Sequence, residues 1–229
     1  ADTALSSDEL LYKIVNMLAL YGAEPQQITA VIFSSVVPAL TPRLREALRK
    51  MCECQIMEVG PGLKSGVRIR MDNPAQLGAE LLCGAVAALE EGPGPLAVIS
   101  ADTAISIMAV NGKQELVGGV ILPGPQLSLS ALVKNTAQLP QIDLAAKAPA
   151  SILGKSTSSC LQNGFVLGTA SLLDGLAERF CAELGPQTAF YATGNLPIPI
   201  REACCTPILY RETLITDGLY RIWMKNKKG

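Results

Sequence analysis

The run Val117-Gly-Gly-Val-Ile-Leu-Pro-Gly124 leads directly into Leu127-Ser-Leu-Ser-Ala-Leu-Val-Lys-Asn-Thr-Ala-Gln-Leu-Pro140. The β-branched residues predict a strand, Pro123-Gly124 a turn, and the stretch from Leu127 to Ala137 an amphipathic helix that stops at a proline. Gly118 and Gly119 have no Cβ, so a second backbone or a ligand can approach the strand closely. On shape alone this is also what an ordinary strand-to-helix connection looks like.

Working outward, three strands are predicted at Leu96–Ala101, Ala104–Val110 and Glu115–Leu122, with Asn111-Gly112 as a hairpin turn. Glu90-Glu-Gly-Pro-Gly-Pro95 is a tight Gly/Pro hinge and divides the chain into residues 1–93 and 94–229. Before it, Ser7 caps a helix with Asp8 and Glu9 in its first turn and an apolar face of Leu10, Leu11, Ile14, Val15, Leu18 and Leu20, ended by Gly22. A strand at Ile28–Phe33, a helix from Thr41-Pro42 to Met51, a strand at Gln55–Val59 and a helix from Pro74 to Glu91 follow. After the central unit comes a long helix, Thr157–Leu184. Its Gly164, Gly168 and Gly175 weaken helix propensity and predict close helix–helix packing. Strands at Thr188–Ala192 and Pro207–Tyr210 precede a last helix, Thr213–Lys225, that turns Leu214, Leu219, Ile222 and Trp223 inward. This alternation places the chain in the α/β class.

Composition bounds the function. Apolar residues make up 49% of the 229 residues and charged residues only 17%, against ~25% in an average soluble chain. With a mean hydropathy of +0.31, such a surface predicts burial at a subunit interface. A net charge of -1 offers no field for nucleic acid or an anionic membrane. The Lys225-Asn-Lys-Lys228 cluster reads as a solvated tail. The absence of histidine excludes Ser-His-Asp and Cys-His catalysis and histidine metal sites within the chain. Seven cysteines without a Cys-x-x-Cys pair argue against a disulfide framework and a zinc site, so no metal site is expected, and a reducing cytoplasm fits. Cys83, Cys160 and Cys181 read as core residues and Cys204-Cys205 as a pair leading into a strand.

The wording of several loops, in order and at matching spacing, resembles the type III pantothenate kinases. The matching stretches are Ile28-Thr-Ala-Val-Ile-Phe-Ser-Ser-Val-Val-Pro38, Val59-Gly-Pro-Gly62 with Lys64 and Gly66, Asp72-Asn-Pro74 with Gly78-Ala79, and the Val117–Pro140 unit. Gly154-Lys-Ser-Thr157, Ala192-Thr-Gly194 and Asp217-Gly218-Leu219 continue the match. The resemblance implies the two-lobed fold of actin and the sugar kinases (ribonuclease H-like). It also implies a dimer, pantothenate as substrate, a role in coenzyme A biosynthesis, and ATP with Mg2+ and a monovalent cation in the cleft. It places Asn73, Gly78, Ala79, Lys155 and Thr157 at the substrate, and Thr103, Ser106, Thr193 and Gly194 at the nucleotide.

Departures fall where phosphoryl transfer needs charge and backbone donors. The family opens on a hairpin with Asp-x-Gly-Asn-Thr. This sequence starts beyond such a motif, which implies a first lobe truncated at its amino terminus. The family's Gly-Ala-Asp-Arg reads Gly78-Ala-Glu-Leu81, leaving Glu80 as the candidate catalytic carboxylate on a longer arm. The family's Asp-Phe-Gly-Thr-Ala-Thr-Thr reads Ser100-Ala-Asp-Thr-Ala-Ile-Ser106, with Asp102 in place of a glycine. Met71 stands for a Tyr, and Asn195 for a second glycine after Thr193-Gly194. Simpler roles compete: Glu80 as a solvated helix residue, Asp102 as a turn residue, Thr157 as a helix cap, Lys64 as a plain loop residue rather than a phosphate contact.

In the family each pantothenate pocket is completed by the neighbouring subunit through the Gly-Lys-x-Thr loop, which this chain keeps. The pattern reads as a degenerate subunit, inactive and impaired in ATP binding by itself, that pairs with a catalytic paralogue and completes its pantothenate site. The alternatives are an active homodimeric kinase with Glu80 as base, and a regulatory or structural protein without turnover.

Overall fold

The computed structural model describes residues 4–60, 62–146 and 148–227. Pro61, inside the Gly60–Gly62 loop, and Lys228, in the basic terminus, lie outside the described residues. Helix α1 spans Ser7–Leu20, and its cap is Ser6 rather than Ser7. The Ser6 hydroxyl accepts from the Glu9 amide at 3.2 Å, and the Glu9 carboxylate accepts from the Ser6 amide at 2.8 Å. This reciprocal box satisfies two N–H groups at once, which a cap at Ser7 does not. α1 packs on α2 but buries no residue fully, and Leu20 of the expected apolar face is 80% exposed.

A short 3-10 turn at Pro25–Gln27 is capped by Ile28, whose amide donates to the Pro25 carbonyl, and β1 starts two residues later than expected, over Ala30–Phe33. α2 (Thr41–Met51) carries Pro42 in its first turn, where the missing N–H costs nothing. β2 (Gln55–Glu58) pairs with β1 in parallel, Phe33 opposite Glu58. A disulfide joins Cys52 and Cys54 between α2 and β2. The pair is local, with one residue between the cysteines and their Cα atoms 5.4 Å apart, and the other five cysteines are free, so it adds no disulfide framework.

β3 is the short pair Arg68–Ile69. The single helix expected over Pro74–Glu91 is broken. A 3-10 turn covers Pro74–Gln76, and α3 starts afresh at Ala79 and ends at Glu91. Leu77 (ψ 123) and Gly78 (ψ 127) leave the helical region between the two, and the Gly78 carbonyl accepts the first turn's amides from Leu81 and Leu82. β4 (Leu96–Ala101), β5 (Ala104–Val110) and β6 (Glu115–Pro123) form an antiparallel meander, as expected. The β5–β6 turn is longer than Asn111-Gly112: four residues close it, with the Gln114 amide donating to the Asn111 carbonyl and Gln114 at φ 59°. Gly119 is where the close approach happens, since a Cβ there would overlap the Ile107 carbonyl of β5.

α4 (Pro125–Lys134) begins and ends earlier than expected, because Pro125 sits in its first turn and Gly124 precedes it. α5 covers Thr157–Leu184, β7 Ala189–Gly194, α6 Ile198–Ala203, β8 Ile208–Tyr210 and α7 Leu214–Asn226. The large sheet has the order β3-β6-β5-β4-β7-β8, with β4, β7 and β8 parallel to one another.

Alternation along β4 sends Ala97, Ile99 and Ala101 to one face, against Val166, Ala170 and Leu173 of α5 and Ile200 of α6. Leu96 and Val98 go to the other, against Leu81, Ala85 and Ala88 of α3 and Leu214 of α7. Burying a Leu, Val or Ile of this kind contributes about 1.5–3 kcal/mol. α3 and α7 also meet Val59 and Ile32 of the small sheet through Val86 and Ile222. Cys83 belongs to that contact, but Cys160 is exposed and Cys181 only half-buried, because α5 covers the sheet with one face and leaves the other to solvent. That outer face carries Gly164, Gly168 and Gly175, none of which has a neighbour within 4 Å of an added Cβ among the described residues. Among the described residues, the helix packing expected of these glycines is not made. No helix among the described residues is long and apolar enough to cross a membrane.

Candidate functional site

β4 and β7 are adjacent parallel strands, and both end at the same level, Ala101 opposite Gly194. In open α/β sheets the crevice beyond such carboxyl ends is where ligands bind. Register sets three hydroxyls in a row across it: Ser106 on β5 opposite Ser100 on β4, and Ser100 opposite Thr193 on β7. By alternation all three point to the face covered by α3 and α7. Thr193 is 2% exposed, and its hydroxyl donates to the Glu212 carbonyl at 3.4 Å.

Glu80 stands in the first turn of α3, half-buried at the same end of the sheet. Burial raises its pKa, and the nearby Asp102 charge raises it further. Asp102 and Thr103 form the tight turn between β4 and β5, and both are exposed. The turn is pinned by its backbone: the Asp102 amide donates to the Ala104 carbonyl at 2.9 Å, and the Gly124 amide to the Thr103 carbonyl at 2.9 Å. Asp102 is therefore a turn residue, as in the simpler of its two roles, but one whose charge is felt at Glu80. Its Oδ1 accepts from Asn195 Nδ2 at 3.2 Å. Gly194 has φ 86°, and a Cβ on it would overlap the Ala101 carbonyl.

The remaining expected residues divide. Asn73 and Ala79 line a cavity of about 520 Å³ with Gly60, Ser65 and Ile69. Gly78 and Ala79 line a neighbouring one of about 560 Å³ with Ser35, Thr41 and Glu58. The Ser35 and Thr41 hydroxyls are hydrogen-bonded at 2.7 Å, and Arg45 pairs with Glu58. Lys64 is held by its backbone, which exchanges bonds with the Asn226 amide at 3.0 and 2.9 Å. Lys155 and Thr157 are exposed at the head of α5, on the opposite face of the sheet from α3, and line none of these cavities. Thr157 is not the helix cap: Ser156 is, with its hydroxyl accepting from the Ser159 amide at 3.2 Å. Leu81 is buried in the sheet core and Met71 packs against it, so neither side chain lines the crevice.

A family profile described as type III pantothenate kinase matches residues 1–179. The chain belongs to the type III pantothenate kinase family. A relative from Symbiobacterium thermophilum, named type III pantothenate kinase 2, is 35% identical over 229 residues, covering 99% of this chain and 86% of the relative. A type III pantothenate kinase from Rhodospirillum centenum is 38% identical over 200 residues, covering 87% and 74%. Among solved structures, a conserved Baf-family protein from Campylobacter jejuni superposes with a TM-score of 0.59 at 18% identity, over 87% of this chain and 84% of that one. That likeness concerns the fold alone. The α/β architecture with mixed sheets fits the actin-like ATPase type of this family.

A triphosphate is held by amide donors, cations and a coordinated metal. The crevice at Asp102 does not fit that requirement. The cavity beside it, about 420 Å³, is lined by Asp102, Thr103, Gln126, Ser130 and Asn195 among others, with no Lys or Arg among the described residues. Asp102 instead adds a carboxylate to that lining. The sequence reading missed the pairing of Asp102 with Asn195; the only signal for it was that both depart from the family pattern.

Proposed function

We propose that this chain is a subunit of a heteromeric type III pantothenate kinase in coenzyme A biosynthesis. Its own crevice is out of use, and it completes the pantothenate pocket of a catalytic paralogue. The observation that carries this reading is the content of the crevice: Asp102 is tied to Asn195, and no Lys or Arg among the described residues lines the cavity beside them, where a phosphate calls for donors. Lys155 and Thr157 stay exposed on the far side of the sheet, available to a neighbouring subunit. ATP and Mg2+ then belong to the partner's cleft. Co-elution with a type III pantothenate kinase paralogue, and a rise in its pantothenate phosphorylation when this chain is added, are the expected results. Steady turnover by this chain alone at ~1 s⁻¹, ordinary for a kinase, overturns the reading.

One observation favours a second reading, an active homodimeric kinase. Glu80 is a half-buried carboxylate with a raised pKa, which suits a general base. The relatives' names point the same way. On that reading Glu80→Gln removes a turnover that the unaltered chain shows by itself.

A further inference from the structure

Asp102 and Asn195 are the first residues beyond β4 and β7, the two parallel strands whose carboxyl ends frame the crevice. Two bonds cross that gap. Asn195 Nδ2 donates to Asp102 Oδ1 at 3.2 Å, and the Asn195 amide donates to the Ala101 carbonyl. Gly194 makes the closure possible, because only a residue without Cβ passes so close to Ala101. The loop is braced from behind. Tyr210 Oη donates to the Gly194 carbonyl at 2.8 Å, and the Arg201 guanidinium stacks on the Tyr210 ring at 3.9 Å. The Thr103 side of the gap is held by the Gly124 amide. Both sides are thus fixed, and the side-chain bond joins them while its members remain exposed.

We propose that the Asp102–Asn195 bond is a latch that shuts the end of the crevice against a polyphosphate. It rests on the reading above, in which the chain's own nucleotide crevice is out of use, and it names the contact that keeps it so. A ligand that needs the open arrangement binds more weakly by the fraction of time the latch is open. A hydrogen bond between exposed side chains, worth about 1 kcal/mol, holds that fraction at roughly a fifth.

The test is calorimetric titration of the full chain with MgATP, inorganic tripolyphosphate and adenosine. The unaltered protein is compared with Asn195→Ala and Asp102→Ala, and melting curves confirm that each variant is folded. Asn195→Ala is expected to bind MgATP and tripolyphosphate about fivefold tighter. Asp102→Ala, which also removes a charge, is expected to bind tighter still, and adenosine to shift less than about twofold. If Asn195→Ala stays within twofold of the unaltered chain while Asp102→Ala tightens, charge alone acts and the latch is refuted. Equal gains for adenosine refute it as well, since they mark general loosening. No gain in either variant does the same. Turnover by the unaltered chain decides the functional reading separately, because the latch is judged only on the ratio of affinities.

Discussion

Gly218 on α7 meets Cys83 on α3 with no space between them: a Cβ on Gly218 would overlap the Cys83 carbonyl oxygen. The contact sets how deeply α7 nests against α3, and α3 carries Glu80 at its head. Gly218 lies in the Asp217-Gly218-Leu219 stretch that resembles the family, and its place in that wording has a packing cause rather than a chemical one.

Gly218→Ala is therefore expected to destabilise the fold by about 2 kcal/mol or more, because the obstructing atom is backbone and no rotamer relieves it. For a chain of this size that corresponds to a melting temperature lower by roughly 4–8 °C. An unchanged melting curve contradicts the packing argument.

Glu80→Gln is expected to stabilise the fold at neutral pH. Burial and the Asp102 charge raise the folded-state pKa of Glu80 above its unfolded value. The folded state then holds more protons between the two values, so stability falls as pH rises through that window. The penalty is fully present above the folded pKa and absent below the unfolded one. The difference between variant and parent should accordingly shrink to nothing as the pH is lowered past the ordinary glutamate range. Denaturant midpoints across pH 3–8 measure it; a stability difference that does not depend on pH contradicts the assignment.

Restoring the family's arginine should not restore chemistry. Leu81 is 6% exposed and packs with Val98, Met108 and Tyr191 in the sheet core. Leu81→Arg puts an unpaired charge there, at a cost of about 3 kcal/mol or more. Loss of cooperative unfolding or poor soluble yield is the expected outcome. A stable variant with pantothenate turnover shows instead that the position can turn outward.

Thr157→Ala and Lys155→Ala should matter only beside a catalytic partner. In a mixed assembly Thr157→Ala is expected to raise KM for pantothenate about fivefold, the worth of one hydrogen bond, with little change for ATP. Because Ser156 is the cap, the melting temperature should stay within about 2 °C. Parental pantothenate kinetics in both variants remove these residues from the partner's site.

Much of the fold was legible in short-range pattern. The bounds of β4, β5, α2 and α5 follow from local periodicity and from a proline or serine at each helix start, information contained within a few residues. The capping box was legible too, in Ser6-x-x-Glu9, although the cap was expected one residue later. The break at Leu77-Gly78 and the short β3 and α6 were not legible in the same way. Each of these three depends on a bond or packing partner that competes with propensity and wins by small margins.

By itself, the sequence determined the α/β class, the family and the residue types available for chemistry, because these reside in order, spacing and composition. Only the tertiary structure decided what those residues face. Asp102 and Asn195 are separated by 93 positions in the chain, and they meet because β4 and β7 pair in parallel with Ala101 opposite Gly194. Glu80 comes near Asp102 because α3 lies across that sheet. Leu81, one residue on, points into the core, since successive helix positions are turned by about 100° from one another. Register and helix docking are set by the sum of many distant contacts, so no local window of sequence records them.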